Sequence, residues 1–152
     1  RREDLDRADL RGPAADAASS AVAAIPGVRA ALLDFQREFG RAHGAVLDGR
    51  DIGTVVFPEA TVKLFVTASL AARAERRWKE LAGRGVATTV SQVEADLAAR
   101  DAQDAGRATA PLKPAVDAVQ FDTTALDIEA AFAAAMALVR ARLDGGAPPL
   151  SP

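Results

Sequence analysis

Two carboxylates and a guanidinium are packed into Val46-Leu47-Asp48-Gly49-Arg50-Asp51-Ile52-Gly53-Thr54-Val55-Val56-Phe57-Pro58. A short apolar run gives way to an acid, a glycine, an arginine and a second acid. That order places a charged loop at the end of a buried strand, where open α/β sheets bind their ligands. Arginine presents a planar, permanently charged fork that matches phosphate oxygens in pairs. A second charged stretch follows with Arg100-Asp101, Asp104, Arg107 and Pro111-Leu112. Together the two stretches point to a site for a phosphorylated nucleotide.

The composition narrows the field. A chain of 152 residues, 49% of them apolar, can bury one domain's core. The formal net charge of −2 provides no global attraction to nucleic acid or anionic membrane. With no cysteine there is neither a disulfide nor a thiolate metal site, which is compatible with a cytoplasmic location. No apolar run is long enough to span a bilayer. Sixteen arginines stand against three lysines, Lys63, Lys79 and Lys113. A coding bias toward GC-rich codons would raise arginine and alanine together, but it cannot choose positions. The aromatic residues, six Phe and Trp78, sit mostly at core spacing and leave few platforms for stacking bases.

These residues need elements to position them. Pro13 opens an alanine-rich helix over 13–24, and Pro26 opens another, with Val28, Leu32, Phe35 and Phe39 at helical spacing and Gly40 and Gly44 at its end. Residues 45–48, Val62–Thr67 and Asp117–Asp122 are expected as buried strands. Ser69 caps a helix whose apolar face is Leu70, Ala74, Trp78 and Leu81, stopped by Gly83 and Gly85. Ser91 and Glu94 suggest a capping box for a helix to about residue 102, followed by a loop over 104–116. Asp127 caps a last helix with Ile128, Phe132, Ala135, Val139 and Leu143 on one side. His43 is expected in an exposed loop, and the tail 145–152 is expected to be disordered. Helices alternating with strands imply an α/β fold, a parallel sheet with flanking helices.

At this level of detail the chain resembles the bacterial cytidylate (CMP) kinases. The matching segments run in order: Glu3-Asp4-Leu5 to Leu10-Arg11; Ala18-Ser19-Ser20 through Pro26-Gly27-Val28-Arg29; Asp48 through Pro58; Val62 through Ser69; Arg73-Ala74-Glu75-Arg76-Arg77; Arg100-Asp101 through Asp104 and Arg107; Ala110-Pro111-Leu112; and Asp122-Thr123-Thr124. The resemblance implies a P-loop nucleoside monophosphate kinase fold and transfer of the ATP γ-phosphoryl group to CMP or dCMP. It assigns Arg50 and Arg107 to the CMP phosphate and Arg100 to the sugar and the transferring group. Ser20, Arg29 and Asp51 would read the base, and Asp104 the sugar hydroxyls. Arg73, Arg76 and Arg77 fall in a lid at about 73–100, along one helix side. Asp48 would help hold Mg²⁺ through water. Residues 1–44 correspond to the end of the monophosphate-binding region and its helices, and 45–144 to the core. A monomer in the cytoplasm, without nucleic acid or membrane partners, is implied for the complete enzyme.

One feature of the family is not found in these 152 residues: no Gly-x-x-x-x-Gly precedes Lys63, Lys79 or Lys113. The expectation is a domain incomplete at its N-terminus, lacking the first strand and the P-loop. The alternative to a working kinase is an inactive fragment or a module that binds phosphate or nucleotide without catalysis. Phosphoryl transfer to a phosphate needs no strong base, because the acceptor oxygen is already anionic; it needs positioning and offset charge.

Overall fold

The computed structural model describes residues 13–23, 25–106 and 112–145. Arg107, Pro111 and the segments 1–12 and 146–152 lie outside the described residues, and so does the side chain of Ser20. Residues 1–46 and 47–152 form two compact units.

The first unit is helical. Helix α1 spans Pro13–Ala23 and α2 spans Pro26–His43, with proline in the first turn of α2. Gly40 does not end α2. The helix runs on to His43 and stops at Gly44, whose φ of 65° is the left-handed conformation that glycine adopts without penalty. His43 therefore belongs to the last helical turn and packs edge-on against Phe39, 5.5 Å between ring centres.

The second unit is built on two parallel strands, β1 (Leu64–Thr67) and β2 (Val119–Asp122), aligned Leu64 to Val119 and Thr67 to Asp122. Both are shorter than the sequence suggests. Residues 45–48 form no strand: a strand exists only where its backbone finds a pairing partner, and among the described residues the sheet holds β1 and β2 alone. Helices α3 (Leu70–Gly83) and α4 (Val90–Ala105) make the crossover between the strands, as parallel pairing requires, and α5 (Ile128–Leu143) follows β2.

Short-range chemistry sets the helix ends. The Ser69 hydroxyl accepts from the Ala72 amide at 3.2 Å, and the Asp127 carboxylate accepts from the Ala130 amide at 2.8 Å. At the end of α3, Val86 donates to the Leu81 carbonyl and Gly85 to that of Ala82, both at 3.0 Å, with Gly85 at φ 75°. This is a Schellman closure, for which a left-handed glycine is suited. The capping box expected at Ser91 is not used. Helix α4 starts two residues earlier, with Thr89 accepting from the Gln92 amide at 3.2 Å, and it extends to Ala105. Asp104 thus stands in the last helical turn and not in a loop.

Ala74 and Leu81 of α3 meet Val93 of α4 in a buried cluster, with Trp78 and Leu97 against it. The Trp78 indole also donates to the Thr88 carbonyl at 3.1 Å and so ties the connecting loop to the pair. The apolar side of α5 is only partly covered, with Ile128, Phe132 and Leu143 exposed.

Replacing Thr89 with alanine should cost about 1 kcal/mol of stability, whereas Ser91→Ala should change it by no more than a few tenths. Urea unfolding of the two variants distinguishes the observed cap from the capping box.

Candidate active site

The second unit holds a cavity of about 350 Å³ lined by Asp48, Arg50, Lys63, Arg73, Asp101 and Asp104 among other residues. Its charged groups, Lys113 included, come from five separate parts of the chain: 48–50, 63, 73, 101–104 and 113. The segment after residue 47 bends at Gly49 and then tightens into a single π-helical turn, Ile52–Val56. The amides of Thr54, Val55 and Val56 all point at the Asp51 carbonyl, at 3.3, 2.8 and 3.2 Å. A Cβ at Gly49 would lie 2.9 Å from Ile52 Cγ1, so the Ile52 side chain would have to shift to admit one.

Arg50 donates from Nε to Asp104 Oδ2 at 2.9 Å. The acid is buried at 4% side-chain exposure, while the arginine is 42% exposed. Arg73 approaches from α3. Its Nη1 and Nη2 donate to the two oxygens of Asp101 at 3.0 and 2.7 Å, and its Nε to the Ala68 carbonyl at 3.1 Å. That bidentate fork holds the Asp101 carboxyl below the usual carboxylate range; weaker attraction from Arg50 and Arg100 acts in the same sense. Arg100, next to Asp101 on α4, has a buried Nε without a hydrogen-bond partner among the described residues. An unmatched buried N–H costs about 1–3 kcal/mol, and an anionic ligand is one means of satisfying it.

The three arginines expected to act together in the lid are used differently. Only Arg73 lines the cavity. Arg76 donates to the Thr123 hydroxyl at 3.2 Å, to the Leu126 carbonyl at 3.1 Å and to the Thr123 carbonyl, which fastens α3 to the turn after β2. Arg77 pairs with Glu80 on its own helix at 2.8 Å. Asp122-Thr123-Thr124 closes that turn: Asp122 accepts from the amide and hydroxyl of Thr124 at 2.8 and 2.6 Å, and the Thr123 hydroxyl donates to the Thr67 carbonyl at 3.0 Å.

Asp51 is half-buried beside the turn and Asp48 is exposed. Among the described residues no three His, Cys, Asp or Glu side chains are grouped to hold a metal ion. Arg29 and Ser20 lie on the helices of the other unit. Asp101 and Lys63 have no role in the sequence pattern alone. The acid was visible as the neighbour of Arg100, and Lys63 as the one charge inside the apolar run Val62–Val66.

Parallel strands joined through helices, with arginines and carboxylates gathered around one cavity, define an α/β domain suited to phosphate chemistry. Comparison with known proteins makes the class specific. A family model described as cytidylate kinase matches residues 2–141. A cytidylate kinase of Granulibacter bethesdensis is 59% identical over 138 residues, covering 91% of this chain and 66% of the relative. One of Acidiphilium cryptum is 59% identical over 145 residues, 95% of this chain and 68% of the relative. One of Paramagnetospirillum magneticum is 57% identical over 141 residues, with 90% and 67% covered. The chain belongs to the cytidylate kinase family, whose fold is that of the P-loop nucleoside monophosphate kinases, and spans about two thirds of the length of these relatives.

Asp101, with its carboxyl titrating below its ordinary value, stabilises the fold most above that value and loses the contribution as pH falls through the lowered one. Arg73 and Asp101 are 34% and 44% exposed, so the pair is worth no more than about 1 kcal/mol. Between pH 6 and about pH 3, Asp101→Asn should flatten part of the fall in thermal stability seen in the parent. Parallel melting curves for the two proteins check this.

Proposed function

We propose that this chain provides the acceptor-phosphate and lid elements of an ATP-dependent kinase that converts CMP or dCMP to the diphosphate. The observation that carries the reading is the arginine set of this unit: Arg50 and Arg73, which line the cavity on carboxylates, and Arg100, beside Asp101 on α4, with a buried Nε unmatched among the described residues. It is joined by membership of the cytidylate kinase family.

The chemistry follows from charge. Donor and acceptor both carry phosphate, so their approach is opposed by repulsion. Arginine forks offset it and fix the direction of attack without removing a proton from the acceptor. In this reading Arg50, Arg100 and Arg107 act on the phosphates and Arg73 closes from the lid. Asp104 meets the sugar, and Ser20, Arg29 and Asp51 select cytosine by matching its amino donor and its ring acceptors. Arg76 and Arg77 belong to the lid helix and assist through its position. Asp48 alone does not make a magnesium site. Its proposed part is an outer contact through water, and no step here depends on the ion. Among the described residues no helix is long and apolar enough to cross a membrane. Action as a monomer in the cytoplasm is part of the same proposal.

The test uses a form of the kinase in which these residues are accompanied by a P-loop. Arg50→Lys should lower turnover about tenfold or more although the charge is kept, because an ammonium cannot reproduce a fork. Arg29→Met and Asp51→Ala should raise the KM for CMP far more than that for ATP, since a site built for hydrogen bonds loses heavily when they go unpaired. Steady-state kinetics with CMP and ATP varied separately decide it. Parent-like constants in all three variants would overturn the assignment. Tight CMP binding by the unmutated kinase, with no ATP consumed, would make it a binding module instead.

A further inference from the structure

Lys63 lines the cavity with a side chain only 7% exposed. It lies just before β1, and its ammonium does not stand free. Nζ donates to Asp117 Oδ2 at 2.6 Å, across 54 residues of sequence, and to the Pro58 carbonyl. A buried ammonium is tolerated only when its hydrogen bonds are met, so these two acceptors fix where the side chain runs. Its methylene stem then passes directly over Gly53. A Cβ at that position would lie 3.2 Å from Lys63 Cδ and 3.7 Å from the Ala115 Cβ. Gly53 has no left-handed φ to explain it. What the position requires is space for the lysine stem.

Gly53 sits inside the π-helical turn whose amides converge on the Asp51 carbonyl. The stem of Lys63 therefore lies over the turn that holds Asp51, and the ammonium holds the Pro58 carbonyl just beyond that turn. Arg142 from α5 donates to the Asp117 carbonyl at 3.2 Å and steadies the far end of the contact. We infer that Lys63, locked by Asp117 and laid over Gly53, is a positioning residue that sets the Asp48–Pro58 loop for nucleotide recognition. It acts through the loop and does not touch the substrate. The inference rests on the reading of this loop as part of a CMP site.

The P-loop-bearing form of the kinase provides the kinetic test. Lys63→Met keeps a stem and removes the ammonium; Asp117→Asn removes the charge of its partner. Each should raise the KM for CMP by about tenfold, in the range by which a supporting contact tunes a site, while the KM for ATP stays within about twofold. The double variant should be little worse than Lys63→Met, because both changes break one contact. Gly53→Ala crowds the stem from the other side with both Nζ acceptors in place, and should give the same CMP-selective defect. Equal increases in both KM values, additive single effects, or a parent-like CMP constant in Gly53→Ala would overturn the inference. A parent that fails to phosphorylate CMP refutes the functional reading and leaves the latch to a second measurement on this chain. There, Lys63→Met should speed amide exchange of Thr54, Val55 and Val56 relative to α5, and unchanged exchange would overturn it.

Discussion

Asp104 is a carboxylate almost without solvent, and the guanidinium of Arg50 gives it a charge-assisted hydrogen bond that helps offset that burial. Removing the arginine from such a contact weakens what offsets the cost of burying the carboxylate charge. The pair joins residues 54 apart and so ties the end of α4 to the loop at Gly49. Once Asp104 is fixed in the last turn of α4, Asp101 lies one turn earlier, where it receives Arg73 from α3. Arg100, its neighbour in sequence, contributes to the same electrostatic group. The buried acid thus fixes the register of the cationic cavity against the loop.

Two kinds of arginine contact follow from this arrangement, and they serve different ends. Arg76 is held by backbone carbonyls and a hydroxyl in the turn after β2. Its bonds maintain the joint between a strand end and a helix. Arg50 and Arg73 are held by carboxylates. A carboxylate imitates the charge and fork-matching geometry of a phosphate, so it keeps a guanidinium oriented before any ligand arrives. The helix pair behind them is stiffened by the Ala74, Leu81 and Val93 cluster.

What could be read from the sequence divides by range. The caps at Ser69 and Asp127, the stop at Gly83 to Gly85 and the face of α3 were legible because each depends on residues within one or two turns. The choice between Thr89 and Ser91 was not: both carry a hydroxyl ahead of an amphipathic run, and only the path of the loop held by Trp78 selects the first. Residues 45–48 have the composition of a strand, but composition does not provide a pairing partner. In the site, the residue types were legible as a set. Their pairing was not, since Arg50 with Asp104, Arg73 with Asp101 and Lys63 with Asp117 span 54, 28 and 54 residues.

The pairing also says which arginines a ligand could recruit. An anion brought to Arg76 would face the carbonyl oxygens of Thr123 and Leu126, which already hold its donors. Moving that side chain would leave the part-buried Thr123 carbonyl without this donor and loosen the turn, so the loss would accompany every binding event. An anion brought to Arg73 meets a guanidinium whose opposing carboxylate is 44% exposed and is hydrated readily when released. Exchange there replaces one charge-assisted fork by another at small net cost. Among the described residues the Arg100 Nε has no partner to exchange. Their partners thus separate Arg76, whose donors hold the turn after β2, from Arg73, whose carboxylate partner an anion could replace.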